Sequence, residues 1–258
     1  MLTLISTPIG NLQDLSPRAQ QVLQEADVVL CEDTRRTLSL FRALGLSIPK
    51  LVSLHGHNEL SKIPQVLSQL NEGLHIALVS DAGTPLISDP GQGLVQAVHA
   101  SGVQVTAVPG PSALIMALSV AGFPAPYQFL GFPPRKTGQL REFLIKHSGF
   151  SGATVLYEAG NRCASLLSVL VELFPDREIC LCRELTKQFE EVRRGRLADW
   201  DIENYRGEVV WVLGPGPAAH EAKADAKKLK DVAKQLAKLW GIRSSDAYSK
   251  LLEIRPEE

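Results

Sequence analysis

Short apolar runs alternate with amphipathic segments through the first two-thirds of the chain. The run over residues 74–80 carries almost no polar residue, which predicts a strand covered on both faces of its sheet. The segments between the runs have apolar residues at helical spacing and end at glycines such as Gly45, Gly73 and Gly102, as helices commonly do. This alternation predicts an α/β fold with a mostly parallel sheet.

The predicted elements of this part are four strand–helix pairs and a fifth strand. The strands span residues 2–6, 27–31, 51–54, 74–80 and 103–108, and the helices span residues 16–26, 34–44, 61–71 and 93–100. Ser16 is a residue type preferred at a helix N-cap, and Pro17 suits the first helical position. We predict a first α/β domain over residues 1–110.

Strands outnumber helices in the next part of the chain. The strands span residues 127–132, 154–157, 179–183, 190–194 and 208–213, and the helices span residues 112–121, 139–146 and 163–173. The gaps between the late strands are short, which favours antiparallel pairs. We predict a second α/β domain with a mixed sheet over residues 111–217.

The sequence Gly214-Pro215-Gly216-Pro217 interrupts the pattern, and helical segments follow at residues 221–239 and 245–252. Between Lys223 and Arg243, seven basic residues stand against two acidic ones. Two interpretations stay open: a packed amphipathic helix with a solvated face, which we favour, or a small module that contacts nucleic acid. Residues 218–258 are predicted to form a small helical C-terminal domain.

Composition limits the class of protein. The 258 residues, 45% of them apolar, suffice for a sizeable core, and a net charge of −1 argues against binding nucleic acid with the whole surface, though not with a local patch. No apolar run is long enough to span a bilayer and no signal-like segment opens the chain, so we expect a cytoplasmic protein without membrane contact. The four cysteines form no CxxC pair, which predicts buried thiols and no metal site.

Three turn-forming signatures each follow an apolar run. They are Thr7-Pro8-Ile9-Gly10-Asn11-Leu12, Ser80-Asp81-Ala82-Gly83-Thr84-Pro85 and Pro109-Gly110-Pro111-Ser112-Ala113. Loops at the carboxyl ends of parallel strands build the ligand site of an open sheet, so we predict a cleft that binds a small molecule through backbone groups and one or two carboxylates. The sequence lacks the P-loop, the GxGxxG fingerprint after its first strand, HExxH and the GxSxG elbow.

Each polar candidate also has a structural interpretation. Asp81 at a strand end is an exposed acid for chemistry or an Asx-turn, with equal weight. Residues 32–36 either meet a polar substrate or begin a helix capped by Asp33 or Thr34. Residues 54–59 are a hydrogen-bonding loop rather than a metal site, because His55 and His57 alone are weak evidence for one. The charges of residues 183–187 either act in a site or form a surface ion pair.

Taken together, these stretches resemble the ribosomal RNA small subunit methyltransferase I family. The matching stretches, in order, are residues 7–12, 32–35, 54–59, 77–85, 109–113, 157–158, 183–187 and 207–208, with residues 232–239, Gly241 and Tyr248 in the tail. The resemblance implies two α/β domains of tetrapyrrole methylase type with a ligand cleft between them, plus the small C-terminal helical domain. Asn161 stands where the family usually has histidine, which puts in doubt any role that needs a titrating imidazole there.

The resemblance also implies a function. It implies S-adenosylmethionine as the methyl donor, 2′-O-methylation of a cytidine in the decoding region of 16S rRNA within the small ribosomal subunit, and a homodimer. Methylation of a tetrapyrrole on the same fold is the nearest alternative. A nucleic-acid-binding regulator without enzymatic activity and a nucleotide-dependent oxidoreductase are weaker alternatives, because of the strand-end loops and the missing glycine fingerprint respectively.

On this basis we predict three sets of site residues. The donor is predicted to contact Pro8, Asp81, Gly83, Thr84, Ile87, Pro111, Ser112, Ala113, Tyr157, Gly207 and Glu208. Proton acceptors are sought among Glu32, Asp33 and Glu184, and Lys187 is a candidate to stabilise a forming alkoxide. Substrate contacts are predicted at Arg35, Arg36, Asn58 and Arg162, with further positive surface at Arg193, Arg194, Arg196 and residues 223–243.

Overall fold

Two five-stranded sheets make up most of the computed structural model, which describes residues 1–201, 205–216 and 226–253. The first sheet contains β1 (Leu2–Ile5), β2 (Val28–Cys31), β3 (Lys50–Ser53), β4 (Ile76–Val79) and β5 (Val105–Val108). Its order is β3-β2-β4-β1-β5 and every pair is parallel. The carboxyl ends of all five strands therefore lie at one edge, as the sequence predicts.

Four helices cover the two faces of this sheet: α1 (Pro17–Glu25), α2 (Thr34–Ala43), α3 (Glu59–Asn71) and α4 (Gln92–Ala100). Alternate residues of each central strand enter different cores. Ala77 of β4 packs in a core with Phe41 of α2, whereas Leu78 packs in a core with Leu94 of α4. This explains why β2 and β4 are apolar at every position.

Local capping bonds fix where these helices begin. The Ser16 hydroxyl accepts a hydrogen bond from the backbone N–H of Ala19 at 3.1 Å, and Pro17 is the first helical residue, as predicted. The Glu59 carboxylate accepts bonds from the backbone N–H groups of Gly91 and Leu94 at 3.0 and 2.9 Å. Glu59 thereby ties the start of α3 to the start of α4.

The second sheet follows α5 (Ala113–Ala121) and contains β6 (Tyr127–Phe129), β7 (Ala153–Ala159), β8 (Glu178–Arg183), β9 (Glu191–Arg196) and β10 (Glu208–Leu213). Its order is β6-β7-β10-β8-β9. The β6–β7 pair is parallel and the other three pairs are antiparallel, which confirms the expected mixed sheet. Two helices, α6 (Thr137–His147) and α7 (Cys163–Leu173), connect its strands.

The predicted strand over residues 127–132 ends at Phe129 in the structure. Gly131 has φ +66°, a left-handed conformation that leaves the strand, so residues 130–136 form a loop. At the other side of the sheet, β9 is an edge strand that carries Arg193, Arg194 and Arg196.

In the tail, α8 (Ala226–Trp240) and α9 (Ser244–Glu253) pack through Ala233, Ala237 and Ala247. Gly241, with φ +65°, ends α8. Leu239 lies on the apolar face by periodicity but is 79% exposed. Residues 221–225 of the predicted helix, with Lys223 and Asp225, lie outside the described residues, as does the predicted boundary at 217/218.

All four cysteines are buried and free, as predicted. Within the described residues, no helix combines the length and the apolar character needed to cross a membrane. The domain limits 1–110, 111–217 and 218–258 stay predictions; the five strands of each sheet fall within the first two.

Candidate functional site

A cavity of about 490 Å³ lies between the carboxyl edge of the first sheet and the second sheet. Such a volume is typical of small-molecule sites, which hold about 300–1,000 Å³. From the first half of the chain, its lining comes from the loops after β1, β2, β4 and β5 and from the start of α5. From the second sheet, it comes from the loop after β6, the last residues of β7 and β8, and the first residues of β10. A second hollow of about 410 Å³ is lined by residues 7–10 among others. It shares six lining residues with the first: Ile9, Arg36, Asp81, Ala82, Lys187 and Glu208.

Most of the predicted donor residues come together here. The cavity is lined by Asp81, Gly83, Thr84, Ile87, Ser112, Ala113, Tyr157, Gly207 and Glu208. Pro8 lines the adjoining hollow. Pro111 lines neither hollow, and its carbonyl accepts a hydrogen bond from the Thr84 hydroxyl at 3.0 Å.

The loops after β1 and β4 are fixed to each other by backbone bonds. Thr7 and Gly83 exchange two N–H···O bonds of 2.9 Å, and the hydroxyls of Ser6 and Thr84 are 3.0 Å apart. Gly83 has φ +82°, so a side chain at this position would be strained. These bonds hold the backbone of the two loops together at this edge of the cavity.

One wall of the cavity is acidic. Glu32, Asp81 and Asp89 all line it. Burial, with the nearby charges of Glu32 and Asp81, raises the pKa of Asp89 to about 6. Oδ1 of Asp81 accepts the backbone N–H of Asp33 at 3.1 Å, and Oδ2 is 3.4 Å from Nη1 of Arg36. This concentration of negative charge favours a cationic ligand.

The opposite wall carries a three-residue ion network. Nζ of Lys187 is 3.0 Å from Oε1 of Glu184 and 3.2 Å from Oε2 of Glu208. Oε1 of Glu184 also accepts the backbone N–H of Glu208 at 3.0 Å. Although burial opposes it, these bonds from Glu208 and Lys187 lower the pKa of Glu184 below its usual value. The pKa of Lys187 is raised: burial again opposes the shift, and the carboxylates of Glu184 and Glu208 outweigh it.

The loop over residues 184–187 is strained and touches the first half of the chain. Glu184 and Thr186 have φ +49° and +67°, and a positive φ is especially unfavourable for a β-branched residue such as Thr186. A Cβ placed on Gly10 would lie 2.4 Å from Cγ of Lys187 and 2.7 Å from Oγ1 of Thr186. The absence of a side chain at Gly10 therefore lets this loop approach the loop after β1.

Aromatic side chains form a further part of the wall. The Tyr157 ring contacts Phe129 at 4.8 Å and Phe132 at 5.5 Å between centroids, both edge-to-face. Burial raises the pKa of the Tyr157 hydroxyl to about 12, so it stays protonated at neutral pH. Phe132 lines the cavity yet is 62% exposed.

Several predicted residues line neither of these two hollows. The Asp33 carboxylate caps α2 through the backbone N–H of Arg35 at 2.8 Å and pairs with the Arg35 guanidinium, which lowers its pKa. Asn58 holds its own loop, with bonds to the backbone of His55 and Ser53 at 2.8 and 3.1 Å. By contrast, Glu32 and Arg36 do line the cavity. They are the sequence neighbours of Asp33 and Arg35 after β2.

The other predicted positive residues also have partners. Nη2 of Arg162 is 3.1 Å from Oε2 of Glu158. The guanidinium of Arg193 stacks on Trp200, that of Arg194 on Phe123, and Arg196 pairs with Asp176. These contacts leave the roles of the arginines towards a substrate as predictions.

Sequence reasoning did not select Asp89, Phe132 or Glu158, which also line the cavity. The turn sequence Asp89-Pro90-Gly91 after β4 is a signal that could have marked the first. The sequence predicts a strand over residues 127–132, whereas the structure ends β6 at Phe129 and places Phe132 in the loop that follows. In the part of the chain that the structure describes, no three His, Cys, Asp or Glu side chains are grouped to hold a metal ion.

Comparison with known proteins defines the class. The model of the Tetrapyrrole (Corrin/Porphyrin) Methylases matches residues 1–201. The methyltransferase CobJ has a similar structure, with a TM-score of 0.62 at 20% identity over 83% of this chain and 94% of that one. Uroporphyrin-III C-methyl transferase from Thermus thermophilus, complexed with S-adenyl homocysteine, gives 0.57 at 19% over 83% and 96%. The fold is that of the tetrapyrrole methylases.

Closer relatives narrow the family. A protein of Pseudomonas aeruginosa is 40% identical over 98% of this chain and 96% of its own length, and one of Coprothermobacter proteolyticus is 43% identical over 83% and 98%. Both are named Ribosomal RNA small subunit methyltransferase I. The chain therefore belongs to the ribosomal RNA small subunit methyltransferase I family within the tetrapyrrole methylases.

Proposed function

We propose that this protein is an S-adenosylmethionine-dependent enzyme that methylates the 2′-hydroxyl of a cytidine ribose in the decoding region of 16S rRNA, in the cytoplasm. One observation carries the proposal: a relative named for small-subunit rRNA methylation matches 98% of the chain at 40% identity. The cavity at the strand ends supplies a place for the donor. Tetrapyrrole methylation, the alternative on this fold, is supported by the family model over residues 1–201 and by structures at 20% and 21% identity, whereas the relatives at 40% and 43% identity are named for rRNA methylation.

The residues of the cavity suit the donor. S-adenosylmethionine supplies a methyl group on a positively charged sulfonium. Asp81 and Asp89 line the cavity, and in this proposal their carboxylates attract that charge, while Gly83 and Ala113, which also line it, contact the donor. Tyr157, with Gly207 and Glu208, would lie against the adenosine. A fixed cavity of this kind favours in-line transfer by holding the reacting atoms in position.

The ribose hydroxyl must lose its proton during or after transfer, and the structure offers several groups for this step. Glu32 lines the cavity, and Glu184 is held there by Lys187. In this proposal Lys187 stabilises the developing alkoxide, with its ammonium positioned by two carboxylates. Asp33 stays a candidate acceptor. Single-turnover rates at saturating donor and RNA test the three candidate proton acceptors, with the variants Glu32→Gln, Asp33→Asn and Glu184→Gln. A variant that keeps the wild-type rate shows that its residue is not the proton acceptor.

A homodimer is part of the proposal, and α5 supports it. This helix is apolar at every position except Ser119, and Ile115, Met116 and Val120 are 57%, 42% and 45% exposed. A helix without a polar face is normally covered, and a second copy of the chain would cover it. Analytical ultracentrifugation of the wild type and of Ile115→Glu tests this: the wild type should sediment as a dimer and the variant as a monomer.

Mass mapping of 16S rRNA tests the function itself. RNA from cells that lack this protein should lose one 2′-O-methyl group in the decoding region, and the wild-type gene should restore it. A variant with Lys187→Met should restore it poorly. An unchanged map in the deleted strain would overturn the proposal, and methylation of a uroporphyrin-type substrate by the pure protein would favour the alternative.

A further inference from the structure

An aromatic side chain stands exposed at the cavity although its backbone is firmly held. Phe132 has 62% of its surface exposed and lines the cavity. A large apolar side chain left open beside a ligand site is a common mark of a contact surface.

The loop that carries Phe132 is fixed on both sides of this residue. The backbone N–H of Leu130 donates to the carbonyl of Val155 at 3.0 Å, and that of Tyr157 donates to the carbonyl of Gly131 at 2.9 Å. Nη2 of Arg162 donates to the carbonyl of Pro134 at 3.2 Å. The exposure of Phe132 is therefore built into a fixed loop.

Arg162 is itself positioned by a buried charge. Oε2 of Glu158 lies 3.1 Å away, and the Glu158 side chain is only 3% exposed. Burial raises the pKa of Glu158, and the backbone of Ala159 and the charges of Arg162 and Arg135 oppose that shift. The pair holds the guanidinium against the Pro134 carbonyl, so β7 and the turn after it support the loop.

The surroundings of the ring are those of a nucleic-acid contact. Arg135 and Lys136 follow on the same loop and are exposed, and Pro133 is buried beneath it. Exposed aromatic rings bind unpaired nucleobases by stacking, and neighbouring basic side chains bind the phosphates. Enzymes that do chemistry on a base take the target nucleotide out of its stack, and a nucleotide that enters this cavity in the same way needs a new surface for its base. Tyr157 contacts the Phe132 ring edge-to-face, and most of the surface of Phe132 stays exposed.

We infer that Phe132 is the stacking platform for the base of the nucleotide whose ribose is methylated. This inference rests on the proposed function and adds a contact to it. The ring supplies a flat apolar surface at the cavity, and the fixed loop means that the surface exists before RNA arrives. Little conformational freedom is then lost when the base stacks.

Steady-state kinetics with small ribosomal subunits from cells lacking the protein test the inference, together with calorimetry of S-adenosylhomocysteine binding. Phe132→Ala should lower kcat/KM for the subunit by about tenfold or more, from a lost stacking contact. Binding of S-adenosylhomocysteine should change by less than about twofold, since the donor site is left intact. Phe132→Trp should recover most of the activity, whereas Phe132→Leu should not, because an aliphatic side chain has no flat ring.

Ile48→Ala is the control, because this exposed apolar residue lies before β3, at the opposite edge of the first sheet. It should leave kcat/KM unchanged. Wild-type kinetics for Phe132→Ala would overturn the inference, and so would an equal loss of S-adenosylhomocysteine binding, which would assign the ring to the donor. A wild-type protein that binds the donor but methylates no subunit would instead overturn the proposed function. Thermal melting shows whether each variant is folded.

Discussion

The backbone N–H of Asp33 donates a 3.1 Å hydrogen bond to Oδ1 of Asp81, which joins the loop after β2 to the loop after β4. The other carboxylate oxygen of Asp81 is 3.4 Å from Arg36. Asp81 therefore has two tasks at once: it connects two loops of the first sheet, and it places a negative charge on the cavity wall.

Asp81→Asn should weaken the binding of S-adenosylmethionine by about tenfold, because the wall loses a charge that faces a cation. Isothermal titration calorimetry measures the affinity. Asp176→Asn is the matched control, since that carboxylate pairs with Arg196 on the surface and lines neither hollow. Equal affinities for wild type and Asp81→Asn would show that this charge has no part in binding the donor.

Gly10→Ala should lower the free energy of unfolding by about 1–3 kcal/mol, the usual range for overpacking, and should reduce kcat. A methyl group there collides with Lys187 and Thr186 and displaces the ammonium from Glu184 and Glu208. Gly56→Ala is the control, because a Cβ at Gly56 meets nothing within 4 Å. Urea denaturation and methylation rates check both variants. A fully active Gly10→Ala variant would show that methylation does not require the Lys187 ammonium to stay between Glu184 and Glu208.

Asp89→Asn should stabilise the protein at neutral pH. The folded-state pKa of about 6 lies above the ordinary value of 3.8, so the folded protein binds the proton more tightly than the unfolded chain does. Wild-type stability should fall as pH rises between these two values. The variant should avoid this loss, worth about 1–2 kcal/mol after allowance for solvent screening.

Urea denaturation at about pH 4 and about pH 8 measures the difference, which should be clearly larger at the higher pH. Glu25→Gln is a comparison variant on the exposed side of α1. Donor affinity should move in the opposite sense: Asp89→Asn should bind S-adenosylmethionine more weakly at about pH 8, because a negative charge near the cation is lost. A difference in stability that is as large at about pH 4 as at about pH 8 would contradict the assignment of the charge to Asp89.

Reversing the charge of Lys234 and Lys238 should weaken RNA binding. Both are exposed and lie one turn apart on α8. The double change to Glu should reduce the slope of log K against log salt by about 1–2 if both lysines meet phosphate, and should leave donor binding unchanged. Lys50→Glu, at the far edge of the first sheet, is the control. Deletion of residues 219–258 should have the same selectivity, and equal losses for RNA and donor would assign the tail a structural role.

Much of the fold follows from local patterns. The central strands β2 and β4 are apolar at every position because helices cover both faces of the sheet. Ser16 with Pro17 marks a helix start without reference to the rest of the chain. The order of the strands in the sheet, by contrast, cannot be predicted from local patterns. Nothing local to β1 indicates that β4 and β5 lie on either side of it, because that choice depends on packing across the whole sheet.

The site could be predicted where a turn signature coincides with a strand end, as at Asp81 and Gly83. The prediction of the site is incomplete where a residue reaches the cavity from an irregular loop. Phe132 follows β6 in an apolar stretch, and only the left-handed Gly131 before it turns the chain out of the strand. Asn58 shows the reverse: its side chain has the polarity of a binding residue, but its own loop uses the hydrogen bonds.

The arginines of β9 affect how readily the protein associates with itself at high concentration. A strand at the border of a sheet offers unpaired backbone groups on which another polypeptide can add itself. On β9, bulky guanidinium groups at Arg193, Arg194 and Arg196 repel an incoming chain of the same kind and are themselves tied to Trp200, Phe123 and Asp176. This border is thereby protected against ribbon-like self-assembly, and neutralising the three cations would expose a route to aggregation.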